Sequence, residues 1–345
     1  MSDIDIRQSG AVGHITLNRP DALNALTYQM CLQIDGALKD WAGDDSIKML
    51  LIDATGDRAF CAGGDIAEMY ATGTAGDYDY GRRFWRDEYR MNARLFSFPK
   101  PVVSFLQGFT MGGGVGAGCH GSHRIVCESS RIAMPECGIG LIPDVGGSLI
   151  LARGPGHLGE YLGCTGYRMG PPDAIYAGFA DYFVPEQHWA RLKSDLLKNA
   201  DPSAVDRAAE TPEPAPLADL QTEIDTAFGK DNLTAIVNDL THTPSAFAKE
   251  TLASLGKPSP LSMACAIEVI RRVRGPDSIR YALEQEYRFT ARSAEHGEFL
   301  EGIRAAIIDK DKSPRWHHGG PTAVPLSDMT KMLMPLGEAA LTWDD

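Results

Sequence analysis

No stretch of this sequence stays apolar for anything near the roughly 18 to 20 residues that a membrane-spanning helix needs, so no such span is expected. Positive charge is short: 33 Lys and Arg stand against 46 Asp and Glu, a net charge of −13. That balance argues against nucleic acid or an anionic membrane as a partner. A phosphorylated small molecule remains open, because local amides and a few cations outweigh distant charge. The seven cysteines (31, 61, 119, 127, 137, 164, 265) contain no Cys-x-x-Cys pair and are scattered through apolar patterns. Reduced, mostly buried thiols are the economical reading. The first residues, Met1-Ser2-Asp3-Ile4-Asp5, lack the basic and apolar regions of a secretory signal, so a cytoplasmic protein is expected. What is there, 43% hydrophobic and 23% charged residues over 345 positions, suits a globular fold of one large domain plus an appendage.

Short β-type runs alternate with helical stretches in the first half. Residues 13–18, 48–53, 101–106, 124–127 and 131–134 read as strands. Residues 27–41 carry apolar side chains at Met30, Ile34, Ala37, Leu38 and Trp41, the spacing of a helix. Strands alternating with helices predict an α/β fold with substantial parallel pairing. Residues 185–216 are polar, Ala-rich and punctuated by proline, as a connecting segment would be. Residues 231–308 read as helices over 233–240, 245–255, 260–274 and 278–294, with Ser259-Pro260 and Gly275-Pro276 as punctuation. The tail after Pro314 has no strong pattern and is expected to be partly mobile. The expected division is a catalytic core over 1–230, a helical region over 231–316 and a tail over 317–345.

Two segments suggest a single site. Residues 108–118 (Gly-Phe-Thr-Met-Gly-Gly-Gly-Val-Gly-Ala-Gly) follow a strand and open a helix; residues 131–147 bring Glu136 and Asp144. A third glycine pair, Gly63-Gly64, follows another strand. Glycines let backbone N–H groups approach a ligand closely, and a helix N-terminus favours negative charge. Beside carboxylates, such donors suit a carbonyl that becomes an oxyanion. A glycine triplet alone signals no more than tight packing. Asp144 after Pro143 could equally cap a helix, and Glu136 after Pro135 could be a surface acid.

The motifs Phe-Cys-Ala-Gly-Gly-Asp at 60–65, Met-Gly-Gly-Gly-Val-Gly at 111–116 and Met-Pro-Glu-Cys-Gly-Ile-Gly-Leu-Ile-Pro-Asp-Val-Gly-Gly at 134–147 resemble the crotonase (enoyl-CoA hydratase/isomerase) superfamily. The Pro-Asp-Val-Gly-Gly run at 143–147 and Asp-Lys-Asp-Lys-Ser-Pro-Arg-Trp at 309–316 narrow the resemblance to its 3-hydroxyisobutyryl-CoA hydrolase branch. Further matches, Ser-Pro-Leu-Ser at 259–262, Glu-Tyr-Arg at 286–288 and Glu-Gly-Ile-Arg-Ala at 301–305, extend it over nearly the whole chain. The resemblance implies a spiral of ββα units, with C-terminal helices packing on the core or on a neighbouring subunit of a homo-oligomer. It implies an acyl-CoA thioester whose carbonyl oxygen accepts from the backbone N–H groups of Gly64 and Gly113. It also implies a CoA loop at 18–26, with Ala22 and Leu23 as backbone contacts, and further CoA contacts at Ala62, Asp65 and Ile66. No metal or redox cofactor follows from it, CoA being part of the substrate.

Hydratases of the superfamily use two glutamates. The first lies three residues after the oxyanion glycine, where this chain has Gly116; the second matches Glu136. A typical hydratase has glycine where this chain has Asp144. The resemblance therefore implies hydrolysis of a short β-hydroxyacyl-CoA, 3-hydroxyisobutyryl-CoA by preference, as in valine breakdown. Glu136 would be the principal carboxylate, either a general base on water or a nucleophile forming a mixed anhydride. Asp144 would orient the reacting group or the substrate hydroxyl, and could assist proton transfer. Glu88 in Phe-Trp-Arg-Asp-Glu-Tyr at 84–89 would line the pocket and bind the substrate hydroxyl; the plainer reading is a solvated helix face. The alternatives are an enoyl-CoA hydratase or isomerase, and a non-catalytic acyl-CoA-binding protein. Cys119-His120 with His123 and Cys127 invites a zinc reading, but the spacing is not that of a structural finger. His120 is expected beneath the active-site helix, His14 as a structural histidine, and His317-His318 as an exposed, idle pair.

Overall fold

The computed structural model of the chain describes residues 2–343, and these residues form two compact units interleaved along the sequence. Among the described residues the first comprises 2–65, 90–133 and 168–218; the second comprises 66–89, 134–167 and 219–343.

The first unit holds both sheets. β1 (Ile4–Ser9), β2 (Val12–Leu17), β3 (Met49–Ala54), β5 (Val102–Phe105), β7 (His123–Val126) and β9 (Tyr182–Phe183) form a six-stranded sheet in that order. β1 pairs antiparallel with β2, and every later pair is parallel. β4 (Ala59–Cys61), β6 (Phe109–Met111) and β8 (Arg131–Ala133) make a parallel three-stranded sheet. Of the nine strands among the described residues, five were legible. β1, β4, β6 and β9 were not: three of them are two or three residues long, too short for alternation to appear.

Thr27 accepts from the Met30 N–H and caps the helix Tyr28–Ala42, which buries Met30, Ile34, Ala37 and Leu38 as its spacing predicts. The short helix Gly113–Gly118 packs directly on β4. A Cβ on Gly114 would stand 2.2 Å from the Cys61 carbonyl oxygen, so only glycine permits that approach. His14 is structural as expected: its Nε2 lies 3.0 Å from Asp53 Oδ1, and Lys193 Nζ donates to Asp53 Oδ2 at 2.9 Å. Burial would raise the Asp53 carboxyl, but His14 and Lys193 outweigh it and hold the group at about 2.

Residues 185–216 correct the expectation of a bare connector. They carry the helices Trp189–Asn199 and Ser203–Ala208. Trp189, Leu192, Leu196 and Val205 join Val12, Leu51, Val103 and Phe105 in one core cluster. The apolar residues at 189, 192 and 196 have helical spacing, which the flanking prolines and alanines obscured.

The second unit is helical. The expected helices appear as Leu233–His242, Ala246–Leu255, Pro260–Arg274 and Ile279–His296, capped by the side chains of Asn232, Ser245, Ser259 and Ser278. The tail is docked rather than mobile. It forms the helix Leu326–Leu333, buries Met332 and Leu333, and offers the carbonyls of Met332, Met334 and Pro335 to Arg292. His318 corrects the idle-pair reading, since its Nε2 lies 3.0 Å from Asp328 Oδ2; His317 stays exposed. No helix among the described residues is long and apolar enough to cross a membrane.

Candidate active site

The first unit supplies the backbone elements of the expected site. Gly113 is the first residue of its helix, so its N–H is one of those without an intrahelical acceptor. Leu26 donates to the Gly63 carbonyl at 2.9 Å and accepts from the Asp65 N–H at 2.7 Å. In a parallel bridge the residue between those two partners turns its own N–H the other way, and here that residue is Gly64. The loop expected to follow CoA is fixed to the same segment. Ala62 N–H donates to Leu23 carbonyl oxygen at 3.0 Å, and Arg19 bridges to Asp65 at 3.0 Å. Leu23 and Asn24 both have positive φ, and Asn24 Nδ2 donates to the carbonyls of Thr55 and Ala59. Ala22, Leu23, Ala62 and Asp65 are thereby gathered, Ala22 exposed and the others half-buried. Ile66 begins the second unit as N-cap of the helix Ala67–Thr74.

The second unit holds the three acids expected beside the thioester, Glu88, Glu136 and Asp144. Glu136 opens a 3₁₀ turn, Glu136–Ile139, three residues after β8 ends. Glu88 lies on the helix Asp79–Phe96, and Asp144 in the turn before the helix Gly147–Arg153. Each of the three is 4% exposed, which discards both the surface-acid reading of Glu136 and the solvated-face reading of Glu88. Asp144 does not cap the helix that follows it: the N-cap is Gly146, which uses no side chain of its own. Glu286, from the helix Ile279–His296, does that work. It accepts from Gly146 N at 2.9 Å, from Ser148 N at 3.1 Å and from Ser148 Oγ.

Burial pushes Glu88 and Glu136 well above the usual carboxylate range, and the charge of Asp144 adds to both. Burial also raises Asp144, to about 7, against the hydrogen bond from Tyr89. Glu286 rises to about 8 by burial, against its donors from Ser148 and Gly146. Glu88 Oε1 and Glu136 Oε2 are buried with no hydrogen-bond partner among the described residues. Buried polar atoms are ordinarily paired, so the two orphaned carboxylate oxygens make Glu88 and Glu136 candidates for contact with a ligand. Sequence reasoning missed Tyr89 and the clamp role of Glu286. Both residues lay inside quoted motifs, but nothing in one dimension says which acid they face.

The chain belongs to the enoyl-CoA hydratase/isomerase family. The sequence model of that family matches residues 12–333. A chicken protein (Gallus gallus) named 3-hydroxyisobutyryl-CoA hydrolase, mitochondrial, is 35% identical over 97% of this chain and 90% of its own length. A Rhodobacter sphaeroides crystal structure described as an enoyl-CoA hydratase is 53% identical, covers 99% of this chain and 100% of its own, and has a TM-score of 0.94. A Mycobacterium thermoresistibile structure described as a carnitinyl-CoA dehydratase is 36% identical, covers 100% and 99%, and has a TM-score of 0.95. The fold is the family's, an α/β spiral of the crotonase type.

Both histidines of the Cys119–Cys127 run pack against aromatic rings. His120 packs edge-on against Phe96 with ring centroids 5.8 Å apart, and His123 stacks on Tyr182 at 5.7 Å. The cluster of ligand-type atoms among the described residues is Cys127 with Glu128 and Glu186, which includes neither histidine.

Proposed function

We propose that this chain hydrolyses a short β-hydroxyacyl-CoA thioester, 3-hydroxyisobutyryl-CoA by first choice, to the hydroxy acid and CoA. The observation that carries the reading is the pairing of buried Glu136 and Asp144 in a chain whose hydratase position is Gly116. A second glutamate is needed to manage water addition across a double bond; Gly116 has no side chain to offer. The names of the curated relatives support the same reading.

In this proposal Gly64 and Gly113 donate their N–H groups to the thioester oxygen as it gains charge, each donor contributing on the order of 10² to 10³ in rate. As general base, Glu136 takes a proton from water while the water oxygen attacks the carbonyl carbon. The carbon–sulfur bond then breaks and the thiolate of CoA leaves, protonated by the acid that Glu136 has become. As nucleophile, Glu136 would instead form a mixed anhydride that water opens. Asp144 orients the reacting group, and Glu88 receives the substrate hydroxyl. Ala22, Leu23, Ala62, Asp65 and Ile66 are proposed along CoA. The chemistry asks for no metal or redox cofactor. Seven buried cysteines suit a reducing compartment such as the cytoplasm, whereas the curated relatives carry mitochondrial in their names.

The second reading is hydration, favoured by the description of the Rhodobacter structure at 53% identity. Incubating the purified protein separately with 3-hydroxyisobutyryl-CoA and crotonyl-CoA separates the two. Thiol release from the first without loss of enoyl absorbance from the second is expected. Hydration without thiol release would overturn the hydrolase reading. Binding without either reaction would favour an acyl-CoA-binding protein.

A further inference from the structure

Asp144 is held from two directions. Tyr89, 0% exposed, donates its hydroxyl to Asp144 Oδ2 at 2.7 Å, and that oxygen-bearing ring is set edge-on against Tyr287 at 6.1 Å. The Tyr89 hydroxyl also lies 3.3 Å from Thr290 Oγ1, one turn further along the helix that carries Tyr287. On the other side, the backbone after Asp144 is strained. Val145 has φ of 53°, a left-handed conformation that a β-branched residue adopts at a cost of roughly 1–3 kcal/mol. Such strain persists only where surrounding structure fixes it. Here Glu286 does so, through the N–H groups of Gly146 and Ser148 and the Ser148 hydroxyl.

We propose that Tyr89 is a positioning residue for the reaction: its hydroxyl occupies one oxygen of Asp144 and fixes the carboxylate's rotamer, so that the other oxygen is presented to the reacting group. Glu286 completes the arrangement by holding the turn's backbone. The inference rests on the role proposed for Asp144 in thioester hydrolysis. The charged and titratable groups facing Asp144 are Glu88 and Tyr89 on one helix, Glu136 on the 3₁₀ turn and Glu286 on the clamp helix. Burial, with Asp144 and Glu286 nearby, keeps the Tyr89 phenol neutral across the working range, so it is always a donor. Hydrogen bonds to a charged acceptor stabilise the ionised form, so losing this one must make Asp144 harder to ionise.

The test is Tyr89→Phe, which deletes the hydroxyl and keeps the ring. kcat for thiol release should fall about 10-fold or more with KM changed less than about twofold, and the acid limb of the pH profile should move up by about one unit. Thr290→Val, which removes the hydroxyl behind Tyr89, should move both in the same direction by less, and serves if Tyr89→Phe fails to fold. In parallel, the carboxyl carbon of Asp144 is titrated by NMR in aspartate-labelled protein, assigned with Asp144→Asn. An upward shift in Tyr89→Phe is expected. Unchanged kcat together with an unchanged titration would overturn the proposal. Wild-type protein that released no thiol would sink the hydrolase reading alone, while the titration would still decide whether Tyr89 governs Asp144.

Discussion

Glu136 is the residue on which the proposed chemistry turns, and its burial makes two outcomes testable. Glu136→Gln keeps the shape and removes the charge; it should lower thiol release by about 10² to 10⁴, with CoA-ester binding retained in a calorimetric titration. Near-normal turnover would dismiss Glu136. Because burial and then Asp144 raise its carboxyl well above the ordinary range, the reactive carboxylate is scarce in acid. kcat/KM should therefore climb with pH through a limb displaced well above the position an exposed glutamate would give it. A flat profile from pH 5 to 8 would show that no such group acts. Glu136 and Asp144 could be named from their motifs. That both are buried, that Asp144 caps nothing and that Tyr89 answers it could not, since each depends on residues up to 201 positions apart, as from Tyr89 to Thr290.

At the scale of elements, the 3₁₀ turn bearing Glu136 is set by how closely its end approaches the helix Phe299–Ile303. A Cβ on Gly302 would stand 2.1 Å from the Ile139 carbonyl oxygen and 2.3 Å from its carbon. Backbone cannot yield there as a side-chain tip would, so Gly302→Ala must push the turn away. A loss of about 1–3 kcal/mol in stability is expected, with thiol release reduced through displacement of Glu136. Thermal unfolding and kinetics on the same sample check this; a variant with unchanged Tm and rate would show that the turn is not set by that contact. Long amphipathic helices and the buried strands were legible because periodicity survives over many residues. Two- and three-residue strands such as β9 and β4 were not, because they are defined by partners alone. The helix Trp189–Asn199 was hidden differently: its composition pointed to a linker while its spacing at 189, 192 and 196 pointed to a helix.

For the whole molecule, a buried acid cluster sets how stability follows pH. The folded Asp144 titrates at about 7 and Glu286 at about 8, both raised by burial, against roughly 4 in the unfolded chain. The folded protein thus binds more protons than the unfolded one across that window. Stability contributed in this way is present below about pH 4 and is lost as pH rises through 7 to 8. Tm should fall over that interval, and Asp144→Asn should flatten the fall by a few kcal/mol at its alkaline end. A steeper decline in the variant would contradict the assignment. By itself the sequence determined the family and the parallel α/β plan, and singled out the candidate glycines and acids, because those are carried by local motifs and repeating patterns. Only the tertiary structure decided that the tail docks through Arg292, that Glu286 caps a helix in place of Asp144, and that the acids share one buried cluster. The reason is physical: burial and hydrogen bonding belong to pairs of groups distant in the chain, and a carboxylate's charge state follows from that environment rather than from its neighbours in sequence.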